Sequence, residues 1–316
     1  CMAGIYTASM PVCVVRERHS GQVGYCNFYE GESTQRLNYG VYNEEIYEQL
    51  EFISNVIATV IDGALKIIGE IELRPIIQRA LHMGDELHSR NTAATMLISQ
   101  ELFPGIISLS RTNDLPAEDI DKTIEFLAES NYFFLRPGMA AGKATADAAH
   151  GIENSSIVTA MSFNCSEFGI RVSGLGDRWF TAPMPMVDGE FFDGFSEEDV
   201  EYMGGESIIN ETVGLGGLAQ AAAFPLQDYQ GGSPERMIEK NRQMYHITNS
   251  EHPYYKIPYF QFRGTPVGID IVQVVEEDIT PVMDIGVSGD QGGQIGAGSL
   301  EAPIACFKTA YDELTR

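Results

Sequence analysis

The chain has 316 residues, 44% of them hydrophobic, and carries a formal net charge of -25. That apolar fraction supports a sizeable core and excludes a disordered chain, and the length fits two or three domains. So acidic a surface, with no basic stripe, repels phosphate backbones and anionic lipid heads. Nucleic-acid binding and membrane-surface binding are therefore excluded, and the acidity reads as solubility.

No run of eighteen apolar residues is present, so no transmembrane helix is expected, and no basic stretch followed by an apolar run marks a secretory signal. These features predict a soluble cytoplasmic protein. The chain opens on Cys1 rather than Met, as a segment of a longer protein does. The five cysteines (Cys1, Cys13, Cys26, Cys165, Cys306) are odd in number and lack zinc-knuckle spacing, which predicts reduced thiols and no metal site.

In chain order, residues 11–29 read as a hairpin, with β-branched PVCVVRER and VGYCNFY flanking an HSGQ turn. Asn43 is an expected N-cap ahead of Glu44 and Glu45. Ile46, Leu50, Ile53, Ile57 and Ile61 then recur at helical spacing. A second long helix is predicted over 72–103, opened by Pro75 and stopped by Pro104-Gly105. Helices follow after Pro116 and over about 138–150. Beyond Gly151, SSIVTAMSFN, EFGIRVSG and RWFTAP predict a meander. Helices are expected near 198–203, 210–223 and 234–246, with strands in QFRGTPVGIDIVQVV and ITPVMDIGV. PIACFKTAYDEL makes a last helix. The whole reads as mixed α/β (α+β), with a mainly helical region between β-containing parts and an irregular, glycine-rich C-terminal portion. The expected domains are a hairpin segment 1–45 packing on the C-terminal part, a helical domain 46–150 and an α/β domain 151–316.

Four segments are candidates for chemistry. In HMGDELHSRNTAAT, continued helical geometry puts His88, Asn91 and Thr95 on the apolar face of Ile77, Ala80, Leu81, Gly84 and Leu87, with His82, Asp85, Glu86 and Ser89 opposite. His88 and Asn91 then point into protein, where each polar atom needs a partner. One reading is a buried pair tying two helices together. The other is a pocket in which His88 polarises a carbonyl or shuttles a proton and Asn91 orients the ligand. His82, Asp85 and His88 resemble a metal trio in composition but not in spacing.

In FRGTPVGID, Arg263 ends a strand-like run beside Gly264 and Thr265. This arrangement suits a planar oxyanion, or else an Arg263–Asp270 salt bridge. The glycine-rich stretch 286–298, containing Gly293, Gln294 and Gly296, offers backbone N–H donors ahead of the final helix, or is a flexible surface loop. It is neither a P-loop nor a dinucleotide fingerprint. In EFGIRVSG, strand alternation puts Arg171 opposite Phe168, Ile170 and Val172, facing a cleft or solvent. Ser110-Arg111-Thr112 is similar to a transcarbamoylase phosphate clamp, but Leu109 occupies the position where that clamp needs its serine.

Together, HMGDELHSRNTAAT, SSIVTAM, EFGIRVSGLGDRWFTAP, the GLGG run, FRGTPVGIDI and GQIGAG resemble, in order and over nearly the whole chain, the AllG-like (YlbE-like) family. The resemblance implies a subunit of oxamate carbamoyltransferase working with FdrA-like and AllH-like partners in anaerobic allantoin breakdown. The implied reaction is oxalurate plus phosphate giving oxamate and carbamoyl phosphate, which carbamate kinase then uses. It also implies longer relatives with an extra N-terminal α/β segment. Such a reaction brings two anions together and so needs local cations and aimed N–H groups. Arg263, Arg171 and Arg90 are the expected cations. Gly293, Gln294 and Gly296 are the expected donors, and Asp85, Gly264 and Thr265 complete the substrate-binding set. His88 and Asn91 steady the oxyanion or protonate the leaving nitrogen. No cofactor or metal is expected, and a homo-oligomer is allowed. The alternatives are a scaffold or regulatory subunit and an acyl-CoA-linked partner of an FdrA-like protein.

Overall fold

The computed structural model describes residues 7–201 and 204–316. The expected hairpin forms from β1 (Val12–Arg16) and β2 (Val23–Asn27). Asn43 caps α1 (Glu44–Phe52), its side chain accepting the Ile46 N–H at 2.9 Å. A π turn over Ile53–Ile57 joins α1 to α2 (Ala58–Ile68), and Ile46, Ile53, Ile57 and Ile61 are buried as their spacing requires.

The predicted 72–103 helix is two helices, α3 (Leu73–His82) and α4 (Thr92–Leu109), separated by a loop. The loop is forced by left-handed backbone at Gly84 (φ 99°) and Leu87 (φ 72°). Nor does Pro104-Gly105 stop α4. The helix runs on because a Cβ at 105 would lie 2.7 Å from the Ala64 carbonyl oxygen, so Gly105 lets α4 cross α2 closely. α5 (Ala117–Glu129) and α6 (Leu135–Ala148) complete the helical part.

The meander forms as β3 (Val158–Asn164), β4 (Glu167–Val172) and β5 (Trp179–Pro183). β6 (Asp188–Phe191), β7 (Val200–Glu201) and β8 (Gly204–Gly205) follow. The helix expected over 210–223 is a chain of 3-10 turns, Glu211–Val213 and Gly216–Ala222, leading to α7 (Gln227–Gln230) and α8 (Pro234–Met244). β9 (Thr248–Ile257) pairs with β10 (Arg263–Ile269) before α9 (Ile271–Glu277).

The glycine-rich stretch is not a loop ahead of a helix. It is a hairpin of β11 (Val282–Gly289) and β12 (Gln294–Glu301), followed by α10 (Ile304–Leu314). Its glycines let neighbouring backbones close in; a Cβ at Gly298 would lie 2.6 Å from the Gly189 Cα of β6. Two antiparallel sheets result, ordered β5-β4-β3-β8 and β6-β12-β11-β7, and they share a core containing Phe168, Ile170, Ile285, Leu300 and Phe307. The helices share a second core around Ile57, Leu81, Leu97, Leu102 and Phe134.

Within the 1–45 segment, the hairpin β1–β2 seats on α6, and the stretch after it reaches β12, through Gln294 N–H to Thr34 O at 3.0 Å and Gly293 N–H to Tyr39 O at 3.0 Å. Cys13, Cys26 and Cys306 are free thiols. Among the described residues no single helix is long and apolar enough to cross a membrane.

A side chain at Gly24 of β2 would collide with the Ala140 backbone of α6. We predict that Gly24→Val destabilises the fold by about 1–3 kcal/mol, read as a lowered urea midpoint with an unchanged slope. An unmoved midpoint would mean that the hairpin does not press on α6.

Candidate functional site

The loop between α3 and α4 is built around a carboxylate. Glu86 is fully buried and accepts the backbone N–H groups of His88 (3.1 Å), Ser89 and Arg90 (2.9 Å). Burial, and then the Asp284 carboxylate, push its pKa well up, against the lowering effect of those N–H groups. Asp85, expected on the exposed side of a helix, is also fully buried. Its Oδ2 accepts the Ala94 N–H at 2.8 Å near the start of α4, and burial raises it to about 6. Arg90 turns back to Gly84 O (3.0 Å) and Asp85 (3.5 Å). Asn91 donates to His88 O at 2.8 Å and Asn210 donates to Leu87 O at 2.6 Å. Asp85, Arg90 and Asn91 therefore fix the loop that carries His88.

His88 is 4% exposed, and its Nδ1 lies 2.7 Å from Glu211 Oε1. Burial alone would lower its pKa, but the Glu211 carboxylate overrides this and raises it above the ordinary histidine value. The same Glu211 oxygen accepts the N–H groups of Gly217 (3.1 Å) and Asp284 (3.1 Å). With Nδ1 engaged, Nε2 is the ring nitrogen left for a guest.

His88 opens onto a cavity of about 80 Å³ between α6, the 29–39 stretch, the 204–207 turn and β11–β12. Its cations are Arg36 and Arg136, 8% and 6% exposed. Arg36 lies over Tyr39 (4.7 Å to the ring centre) and donates to Gly31 O (3.1 Å) and Gln294 Oε1 (3.3 Å). Arg136 meets Glu206 at 3.5 Å. The Nε of each arginine is buried with no hydrogen-bond partner among the described residues. Tyr132 and Tyr229 also line the cavity, and burial raises the pKa of both.

Of the candidate catalytic and substrate-binding residues, His88 and Gln294 line this cavity, with Ser89 and Gly286 of the same two segments, and the other candidates do not. Arg263 is exposed, bonded to Glu251 at 2.8 Å instead of Asp270, and stacked over Tyr245 at 3.7 Å. Arg171 is held by Asp147 (2.6 Å) on α6 and by Thr159. Gly264 O accepts the Tyr245 hydroxyl at 2.7 Å, and Thr265 is buried against Gly214. Gly293 pairs with Tyr39, and Gly296 O accepts the Gln294 amide at 3.1 Å. Sequence reasoning missed Arg36, Arg136, Glu211 and Asp284. The last three carry one usable signal, a lone charge inside an apolar run: FFLRPGMAA, SIINETVGL and PVMDIGV. The described residues include no cluster of His, Cys, Asp or Glu fit to hold a metal ion.

Asp284 is fully buried. Its Oδ1 accepts Gln220 Nε2 (2.6 Å) and Gln230 Nε2 (3.2 Å), while its Oδ2 is unpartnered. Burial and then Glu211 push it up to about 6, from an ordinary 3.8. A raised carboxyl contributes stability below about pH 3.8 that is lost as pH rises through about 6. Asp284→Asn keeps the accepting oxygen and stays neutral. We predict that its stability relative to the parent rises between pH 4 and pH 7 by on the order of 2–3 kcal/mol, read from urea unfolding at both pH values. A pH-independent difference would contradict the assignment.

Comparison with known proteins places this architecture. The family model described as oxamate carbamoyltransferase subunit AllG matches residues 1–207. The chain is 42% identical over 311 residues to a protein of Escherichia coli (strain K12) named uncharacterized protein YahG, covering 98% of the chain and 65% of YahG. It is 39% identical to the oxamate carbamoyltransferase subunit AllG of the same organism, covering 99% of the chain and 74% of that subunit. The chain thus spans somewhat less than two thirds of YahG and about three quarters of AllG. A crystal structure of a conserved protein of unknown function from Enterococcus faecalis V583 superposes with a TM-score of 0.94 at 34% identity, over 99% of this chain and 76% of that one. With the family model matching more than half of its length and the same fold in a solved relative, the chain belongs to the AllG family.

Proposed function

We propose that the His88 cavity binds a small anion and that the chain serves as a subunit of a carbamoyltransferase acting on oxalurate and oxamate. The observation that carries this reading is the pair of buried guanidiniums. Two arginines over nine-tenths buried, each keeping an unpartnered Nε donor beside an imidazole, lack the acceptor that such groups need. A planar carboxylate or a phosphate supplies it. The family supports the substrate class, since the Escherichia coli relative is named as an oxamate carbamoyltransferase subunit.

In this reading a phosphate oxygen attacks the ureido carbonyl of oxalurate. The tetrahedral oxyanion that forms is stabilised by Arg36 and Arg136. The C–N bond then breaks, giving carbamoyl phosphate, while the nitrogen of departing oxamate takes a proton from His88 Nε2. The proton lost by phosphate restores the imidazolium, so charge and protons balance. Glu211 keeps the imidazole protonated and oriented. Partners resembling FdrA and AllH supply the rest of the enzyme.

The test is reconstitution with those partners and an assay of carbamoyl phosphate formed from oxalurate. We predict that His88→Ala and Arg136→Ala each lower the turnover number about 10²–10⁴-fold. Arg263→Ala, altering an exposed residue outside the cavity, should leave it within about twofold, the scatter expected of a surface ion pair. Full activity in both His88→Ala and Arg136→Ala would remove the cavity from the chemistry.

A further inference from the structure

The cations of this chain are unevenly spread. α3 and the β9–β10 hairpin carry Arg74, Arg79, Lys256 and Arg263 against one acid, Glu251, although the chain holds 45 acids and 20 bases. Far apart in sequence, these residues are gathered because α3 lies along the hairpin. Arg74 sits over the Tyr254 ring at 4.4 Å, Gln78 donates to Tyr254 O at 3.3 Å, and His82 meets Phe262 edge-on at 5.2 Å. α8 adds Arg242, 5.9 Å from the centre of the Phe260 ring. Arg263 is paired with Glu251, but Arg74, Arg79, Arg242 and Lys256 meet no carboxylate among the described residues. Met83, Tyr254, Tyr259 and Phe262 are exposed beside them. Exposed rings, a methionine and arginines with unspent charge are the composition of a protein interface.

The complement lies on the same chain. α1 carries Glu44, Glu45, Glu48 and Glu51 and no base. α5, packed beside it through Phe52 and Phe126, carries five acids and one base, Lys122, which Glu118 holds. Tyr42, Tyr47 and Ile124 are exposed alongside. We infer that the α3/β9–β10 face docks a second copy of this chain by its α1/α5 face, guanidiniums meeting carboxylates and rings meeting rings. Like faces repel, so charge admits only the crossed pairing. Two unlike faces make the contact heterologous: each copy takes one neighbour on each face, and the assembly is a closed ring or an extending chain rather than a two-fold dimer. None of this depends on the chemistry proposed for the His88 cavity.

Sedimentation velocity of the full chain tests this, at about 0.1 mM chain and at about 0.05 M and about 0.5 M salt. Species larger than the monomer are expected at low salt and should shrink at high salt. Arg74→Glu/Arg79→Glu and Glu48→Lys/Glu51→Lys alter exposed side chains and should leave the urea midpoint unchanged. Each is expected to weaken self-association at least about tenfold. An equimolar mixture of the two variants should recover the assembly that neither forms alone, because each then offers the charge that the other needs. A parent chain monomeric at both salt concentrations would overturn the inference. So would assemblies untouched by Arg74→Glu/Arg79→Glu, or a mixture that stays monomeric. A monomeric parent that loses a partner subunit of the carbamoyltransferase on Arg74→Glu/Arg79→Glu would assign the face to that partner instead, and self-docking would fall.

Discussion

The contact between His88 Nδ1 and Glu211 Oε1 joins two segments 123 residues apart in sequence, and the rest of the site is arranged around it. Neither group tolerates burial alone: a charged imidazole or a carboxylate taken out of water costs several kcal/mol unless it is paired. Pairing is not enough for Glu211, whose engaged oxygen also takes N–H groups from Gly217 and from Asp284 of β11. The glycines at 216 and 217 follow from this. A side chain at Gly216 would strike the Glu211 carboxylate, and one at Gly217 would strike the Val282 backbone. The GLGG run, featureless as sequence, is thus the clearance that one buried carboxylate needs.

The same logic accounts for the loop at 83–91. A continuous helix would leave Glu86 pointing at solvent. Breaking the helix forfeits some backbone bonds, and the carboxylate, turned inward, replaces them by accepting three N–H groups of the loop. Left-handed backbone at Leu87 is an uncommon conformation for such a residue, and it is held by Asn210 gripping the Leu87 carbonyl. Among the buried acids Asp85, Glu86, Glu211 and Asp284, it is Glu211 that bonds the imidazole directly. Within a chain of net charge -25, Arg36 and Arg136 put positive charge into the lining of this cavity beside the imidazole.

Much of the fold was legible because it is local. The Asn43 cap, the isoleucine repeat through Ile61 and the alternation of Phe168, Ile170 and Val172 each depend on neighbours a few residues away. What sequence periodicity could not show was long-range compensation. The pattern through Leu81, Gly84 and Leu87 remains helical on a wheel, and only the burial of Glu86 by a distant strand bends the chain out of it. Gly286 to Gly298 looked like a loop because glycine is ordinarily rare in strands. Here three backbones approach so closely that only glycine fits.

The cavity lining was legible to the same extent. His88 stands out as a histidine amid apolar neighbours and Gln294 by its place in the glycine run, and both line the cavity. Arg263 was conspicuous for the wrong reason. An arginine beside glycine at a strand end satisfies a simple rule for anion binding, yet Glu251 across the hairpin and the Tyr245 ring already supply what a guanidinium wants. Arg136 has the opposite character. Proline and glycine beside it in LRPGMAA suggest a helix start, and α6 indeed begins at Leu135, so the arginine reads as an ordinary first-turn residue. Its burial follows from the hairpin packing on one side of α6 and the 204–207 turn closing the other. What sets Arg136 apart from Arg263 is the donor it has left over, a property of the assembled surroundings rather than of the residue or its neighbours in sequence.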